Sequence, residues 1–209
     1  MSGPAGVTAV VLAGGASSRF GGDKLLVDHH GRPLLHHAIL AVAEVADGII
    51  VVIAPDALDP ELPPPVAPRI TIARDAAAHG GPLAGLAAGL AAVSPPVRDH
   101  PPRIVLVVGG DMPGLVPAVL RLLVEHLGAA EGIAAMTLDA SPPAPLPLAV
   151  RPDRVRAAIT ARLAGRRRSL RSLLEAVPSS TLPAAEWRAL DPSAATLRDI
   201  DTPADLEDR

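Results

Sequence analysis

The chain has 209 residues, 49% of them hydrophobic, with one Phe, one Trp and no Tyr. That apolar content suffices to bury a core of Leu, Val, Ile and Ala, which excludes an intrinsically disordered chain. A net charge of −3 offers no global electrostatic basis for nucleic-acid binding, and the lack of cysteine excludes disulfides, thiolate metal sites and cysteine nucleophiles.

The opening MSGPAGVTAVVLAGG lacks a basic leader and its apolar run is short. Neither a signal peptide nor a membrane span is expected, and the cytoplasm is the expected compartment. Runs rich in β-branched residues at 7–13, 48–54, 69–73, 103–108, 133–138 and 146–150 predict strands. Several are apolar throughout, as strands covered on both faces are. Helical patterns at 33–46, 82–93 and 114–127 lie between them, and further helices are expected over 152–164 and 169–177. A last helix begins at Thr202-Pro203, with Thr202 as N-cap, Pro203 in the first position and Asp205 facing the positive helix end. The proline-rich stretches 55–68 and 94–102 read as loops. Strands alternating with helices imply an α/β fold: a three-layer, doubly wound, mainly parallel sheet with right-handed crossovers. Residues 1–209 read as one domain whose C-terminal third packs less regularly on the same sheet.

Residues 10–26 read VVLAGGASSRFGGDKLL. A strand that ends in paired glycines and enters a loop carrying cations has the outline of a phosphate cradle. Glycine lets successive N–H groups face one concavity and keeps side chains out of the approach. Gly14, Gly15, Gly21 and Gly22 supply that freedom, Arg19 is able to fork onto phosphate oxygens, and Lys24 places a point charge. The spacing is neither that of the P-loop nor G-x-G-x-x-G. Asp111 directly follows the apolar run RIVLVVGG and so projects from the carboxyl end of a central strand, where open α/β sheets bind ligands. It serves there either as a turn or cap residue or as a carboxylate for Mg2+, which fills its other positions with phosphate and water oxygens. Asp199 and Asp201 alternate along RDIDTP and share one face.

The stretch LAGGASSRFGGDK resembles the L-A-G-G-x-S-x-R-[MF]-G-x-D-K signature of nucleotidyltransferases that activate a phosphate-bearing substrate with a nucleoside triphosphate. Three further segments resemble the molybdenum cofactor guanylyltransferase family: RDAAAHGGPLAGLAAGL (74–90), VVGGDMPGL (107–115) and LRDIDTPADLE (197–207). The resemblance implies a Rossmann-like nucleotidyltransferase fold with a nucleotide-binding part at about 1–130 and an acceptor-binding part at about 131–209. The implied activity is transfer of GMP from MgGTP to the phosphate of molybdopterin or molybdenum cofactor, with release of pyrophosphate. Arg19, Lys24 and Asp111 are the implied catalytic residues. The nucleotide is expected on Leu12, Ala13, Gly14, Gly15, Lys24 and Asp75, on Gly81, Pro82 and Leu83, and on Asp111. The Gly80-Gly81-Pro82-Leu83 segment serves either as a plain helix N-terminus or as main chain that reads a purine edge.

Two features depart from the family pattern, and the first of them bears on the guanine assignment. Aspartates stand at 199 and 201 where guanylyltransferases often carry asparagine and related cytidylyl- and sugar-nucleotidyltransferases often carry aspartate; Ile53 stands where the pattern has a nucleotide-contacting Asn. Asp201 is therefore either a second metal ligand opposite Asp111 or a cap for the last helix. Arg166, Arg167, Arg168 and Arg171 form either a solvated basic face or a landing site for the acceptor phosphate, to which Asp199 is also assigned. The pairs His29-His30 and His36-His37 sit in a hairpin or loop and on a helix, where adjacent residues point apart, so a histidine metal site is not expected. An apo-molybdoenzyme or its chaperone is a further expected partner, and neither nucleic acid nor membrane is. The alternatives are a cytidylyltransferase on the same cofactor, transfer to another phosphate acceptor, and a non-catalytic nucleotide- or cofactor-binding module.

Overall fold

The computed structural model describes residues 6–14, 24–76, 80–93 and 103–207. Strand β1 (Val7–Leu12) lies mid-sheet, flanked by β4 (Gly48–Ile53) and β6 (Ile104–Gly109), both parallel to it. Beyond β4 comes β5 (Ile70–Arg74), also parallel. On the other side β6 pairs with β8 (Leu148–Val150), which runs antiparallel to it and to β7 (Ala135–Leu138). A parallel edge strand, β9 (Ser179–Leu182), completes the order β5-β4-β1-β6-β8-β7-β9. A separate two-stranded hairpin, β2 (Asp28–His29) and β3 (Arg32–Pro33), turns on His30 and Gly31 at φ of 52° and 80°. Two positive φ values in a two-residue loop match the twist of a hairpin, and glycine carries one of them without strain.

Helices cover both faces. Val10, Val52, Val105 and Val107 pack in one core with α2 (Pro82–Ala92), α4 (Pro152–Ala164) and α5 (Leu170–Leu174). Ala9, Val11, Val51, Leu106 and Val108 face the opposite core with α1 (Leu34–Ala43), α3 (Pro117–Ala129) and α6 (Ala184–Leu190). This alternation explains why the central strands are apolar throughout: each face meets helices. The architecture is the expected three-layer, mainly parallel α/β sheet.

Local differences have physical causes. Helix α3 begins at Pro117, not at 114, because proline lacks an N–H and suits the first turn only. Strand β9 and helix α6 escape the sequence patterns. The strand reads SSTL, polar and at a sheet edge, and α6 is seven residues long with Trp187 alone buried. Trp187 is nonetheless fully buried, and its indole N–H donates to the Asp139 carbonyl at 3.0 Å. The last helix, α7, spans Ala204–Glu207, and Asp205 meets its positive end as expected. The Asp205 carboxylate accepts from the Asp201 and Thr202 amides and from the Thr202 hydroxyl.

Candidate active site

The carboxyl ends of β1, β4, β5 and β6 open into a cleft of about 270 Å3. The end of β1 is tied to both neighbours: Ala13 N–H donates to the Val52 carbonyl at 2.7 Å, and Gly110 N–H to the Leu12 carbonyl at 2.9 Å. Asp111 follows at the end of β6. A Cβ on Gly109 would collide with Asp111 Oδ1, so the glycine is what lets that carboxylate fold back over the strand end.

Lys24 enters from a short 3-10 turn, Lys24–Leu26, and is 9% exposed. Its ammonium donates to Asp111 Oδ2 at 2.8 Å, to the Ile200 carbonyl at 2.9 Å and to Asp201 Oδ1 at 3.4 Å. Burial works against this charge, but the hydrogen bonds and charges of Asp111 and then Asp201 outweigh it and raise the Lys24 pKa. Two carboxylates, one from the middle of the chain and one from near its end, thus converge on one cation position. Among the described residues no cluster of three or more His, Cys, Asp or Glu could hold a metal. The donor set suits a hard cation that takes one or two carboxylates and completes its shell from phosphate and water.

The C-terminal segment is delivered by a buried turn. Asp191, 3% exposed, accepts from the amides of Thr196 at 2.8 Å and Ala195 at 3.0 Å and from the Ser193 hydroxyl at 3.0 Å. The Thr196 hydroxyl in turn accepts from Val116 N–H at 3.1 Å. Past this turn Ile200 is 6% exposed, and its N–H donates to the Asp111 carbonyl at 2.9 Å. Ile200 therefore touches both members of the ion pair. Asp199, on the other side of it, is held above the usual carboxylate range by the loss of hydration in its surroundings and by the charge of Asp201.

Leu12, Gly14, Lys24 and Asp111 line the cleft, together with Asp75, Gly81 and Pro82. Gly15, Arg19 and residues 21–23 lie outside the described residues. Leu83 is fully buried and its amide is donated to the Arg168 carbonyl at 3.0 Å, so it is core rather than cleft wall. The basic run is exposed and does not line the cleft, but Arg168 abuts the cleft loop: a Cβ on Gly81, at φ +81°, would lie 2.9 Å from Arg168 Cβ. His36 and His37 do point apart, to the carbonyls of Glu61 and His29. Ile53 is buried, and its carbonyl accepts from Asp75 N–H at 2.9 Å.

Leu25, Val52, Gly85, Gly109 and Leu146 complete the wall, and sequence reasoning did not assign them. Gly85 carried a signal, lying in the first turn of the helix that follows Gly81-Pro82. Leu146 and the Ile200 carbonyl carried none, since only the folded chain brings the β7–β8 loop and the C-terminal segment here.

The MobA-like NTP transferase domain family matches residues 9–181 of this chain. A probable molybdenum cofactor guanylyltransferase from Chloroflexus aggregans is 27% identical over 208 residues, spanning 96% of this chain and 92% of that protein. A molybdenum cofactor guanylyltransferase from Acidiphilium cryptum is 35% identical over 145 residues, or 65% of this chain and 64% of that one. Among solved structures, molybdopterin-guanine dinucleotide biosynthesis protein A from Archaeoglobus fulgidus superposes with a TM-score of 0.74 at 21% identity, covering 96% and 95% of the two chains. The fold is that of the nucleotidyltransferases, and the family model and the curated relatives place the chain in that class. The chain belongs to the MobA-like NTP transferase family.

Proposed function

We propose that this protein transfers GMP from MgGTP to the phosphate of molybdopterin or molybdenum cofactor, releasing pyrophosphate. The observation that carries the reading is the Lys24 ammonium bound between Asp111 and Asp201 at the mouth of the glycine-ended strand β1. The similarity to guanylyltransferases over nearly the whole chain supports the choice of base and acceptor.

The chemistry needs little acid–base help. A phosphate oxygen of the acceptor bonds to the α-phosphorus while the bond from the α-phosphorus to the bridging oxygen breaks, and the electron pair leaves with pyrophosphate. The attacking phosphate is already anionic near neutral pH, so positioning and charge neutralisation supply the catalysis. Lys24 places its charge against the polyphosphate, with Arg19 assigned the same task from the glycine loop. Asp111, assisted by Asp201, would hold Mg2+, which supplies Lewis-acid neutralisation of phosphate oxygens when bound. Asp75 and the Gly81-Pro82 main chain receive the nucleoside at the other end of the cleft. Arg166, Arg167 and Arg168, exposed beside the cleft, and Asp199 are assigned to the acceptor phosphate.

A cytidine nucleotide is the second reading, favoured by the aspartates at 199 and 201. Pyrophosphate release from each of the four ribonucleoside triphosphates, with Mg2+ and molybdopterin present, decides between them. The expected result is turnover with GTP. Turnover with CTP instead would transfer the assignment, and nucleotide binding without pyrophosphate release would reduce the protein to a binding module.

A further inference from the structure

We propose that Arg74 is a positioning residue for the nucleoside half of the substrate. The inference rests on the cleft being a nucleotide site, and not on which base or acceptor is used. Arg74 ends the edge strand β5, and its guanidinium reaches the loop 54–59 that follows the neighbouring strand β4. Nη1 donates to the carbonyls of Ala57 at 2.7 Å, Pro55 at 3.3 Å and Ala54 at 3.4 Å, while Nη2 pairs with the Asp59 carboxylate. One planar, charged fork thus gathers three carbonyls and a carboxylate from a short loop, which no neutral side chain could do.

Neither that loop nor Arg74 lines the cleft, but the start of the loop stands directly behind it. A Cβ on Gly14 would stand 3.4 Å from the Ala54 amide nitrogen, so the loop backbone forms the wall behind Gly14. The Ile53 carbonyl, at the base of the same loop, anchors the amide of Asp75 at 2.9 Å. Both Gly14 and Asp75 line the cleft. The ion pair is largely exposed, at 43% and 62%, and exposed pairs contribute little to global stability. The effect of Arg74 therefore falls on the geometry of the nucleoside end, not on folding or on the Lys24–Asp111 end.

Isothermal calorimetry with two probes separates the ends. MgGTP and MgCTP span the cleft, whereas inorganic tripolyphosphate with Mg2+ engages only the Lys24 end. Arg74→Gln is expected to weaken the better-bound nucleotide about ten-fold, with tripolyphosphate binding and the melting temperature unchanged. In turnover KM rises and kcat at saturation is kept. Arg74→Lys, which keeps the charge but not the fork, recovers only part of the loss, and Asp59→Asn, which keeps the carbonyl contacts, loses less than Arg74→Gln. Nucleotide binding at wild-type strength in Arg74→Gln would overturn the proposal, as would equal weakening of nucleotide and tripolyphosphate. If Lys24→Met left both ligands unaffected, the cleft assignment itself would fall, and this inference with it.

Discussion

The Lys24 ammonium is held by two carboxylates and a carbonyl, so its removal takes a charge from the cleft and a donor from all three. Lys24→Met and Asp111→Asn are each expected to raise the barrier by about 2.7–4 kcal/mol, the scale seen when a preorganised electrostatic group is lost. Pyrophosphate release, with thermal unfolding as the folding control, measures this; near-wild-type turnover in both variants would refute the assignment. Asp191 gives a prediction of a different kind. Burial opposes its charge, but hydrogen bonds from Thr196, Ala195 and Ser193 prevail and hold its pKa below the ordinary 3.8. A depressed carboxyl pKa stabilises the fold fully above the unfolded value, and that stabilisation is lost as pH falls through the folded value. Asp191→Asn should therefore cost about 1–3 kcal/mol at neutral pH. The difference in melting temperature from wild type should shrink as the pH drops below 3.8. A gap that stays constant down to acid pH would contradict this account.

At the scale of elements, helix α2 shows how one surface serves both packing and site. A Cβ on Gly89 would lie 2.7 Å and 2.9 Å from the two Val10 methyl groups, because α2 presses directly on β1. Gly85, one turn earlier, lines the cleft, and a Cβ there would meet the end of the Leu12 side chain at 3.1 Å and Val52 Cγ1 at 3.9 Å. Alanine is the better helix former by about 1 kcal/mol, so the balance differs between the two. Gly89→Ala forces a stiff β-branched neighbour to shift, and overpacking of about 1–3 kcal/mol makes it destabilising. Gly85→Ala is expected to be neutral or slightly stabilising by thermal unfolding, yet to weaken nucleotide binding. Equal melting temperatures for the two variants would show that α2 yields more readily than its packing implies.

At the scale of the molecule, the site depends on closing the chain. Strand β8 reverses direction, β7 and β9 extend the sheet, and the segment after α6 returns along the carboxyl edge to set Ile200 against Asp111 and Lys24. Gly114 permits this passage, since a Cβ there would lie 2.6 Å from the Ala195 carbonyl oxygen. Ile200→Ala substitutes no charged group but removes the buried anchor of the segment. It is expected to cost about 2–5 kcal/mol in stability and to lower kcat as Asp201 and the Ile200 carbonyl drift from Lys24. Full activity in this variant would show that the returning segment is not needed for the chemistry.

Much of this was legible in the chain. Runs such as GIIVVI are apolar at every position, which admits a strand covered on both faces, and their alternation with helical patterns leaves few topologies. The run ending in Gly-Gly and the aspartate of GGD follow two apolar strands, and the fold brings Gly14 and Asp111 to one cleft at adjacent strand ends. Strand β9 and helix α6 were invisible because their stability comes from an edge pairing and from one buried tryptophan, and neither leaves a periodic trace. Local spacing could not decide between a ligand and a cap for Asp201. In the fold its amide joins the helix cap while its carboxylate turns to Lys24. Local pattern thus determined the elements and the chemistry on offer. Only tertiary structure decided which groups meet, because the Lys24–Asp201 contact joins residues separated by nearly the whole chain, and such contacts are set by packing rather than by neighbours in sequence.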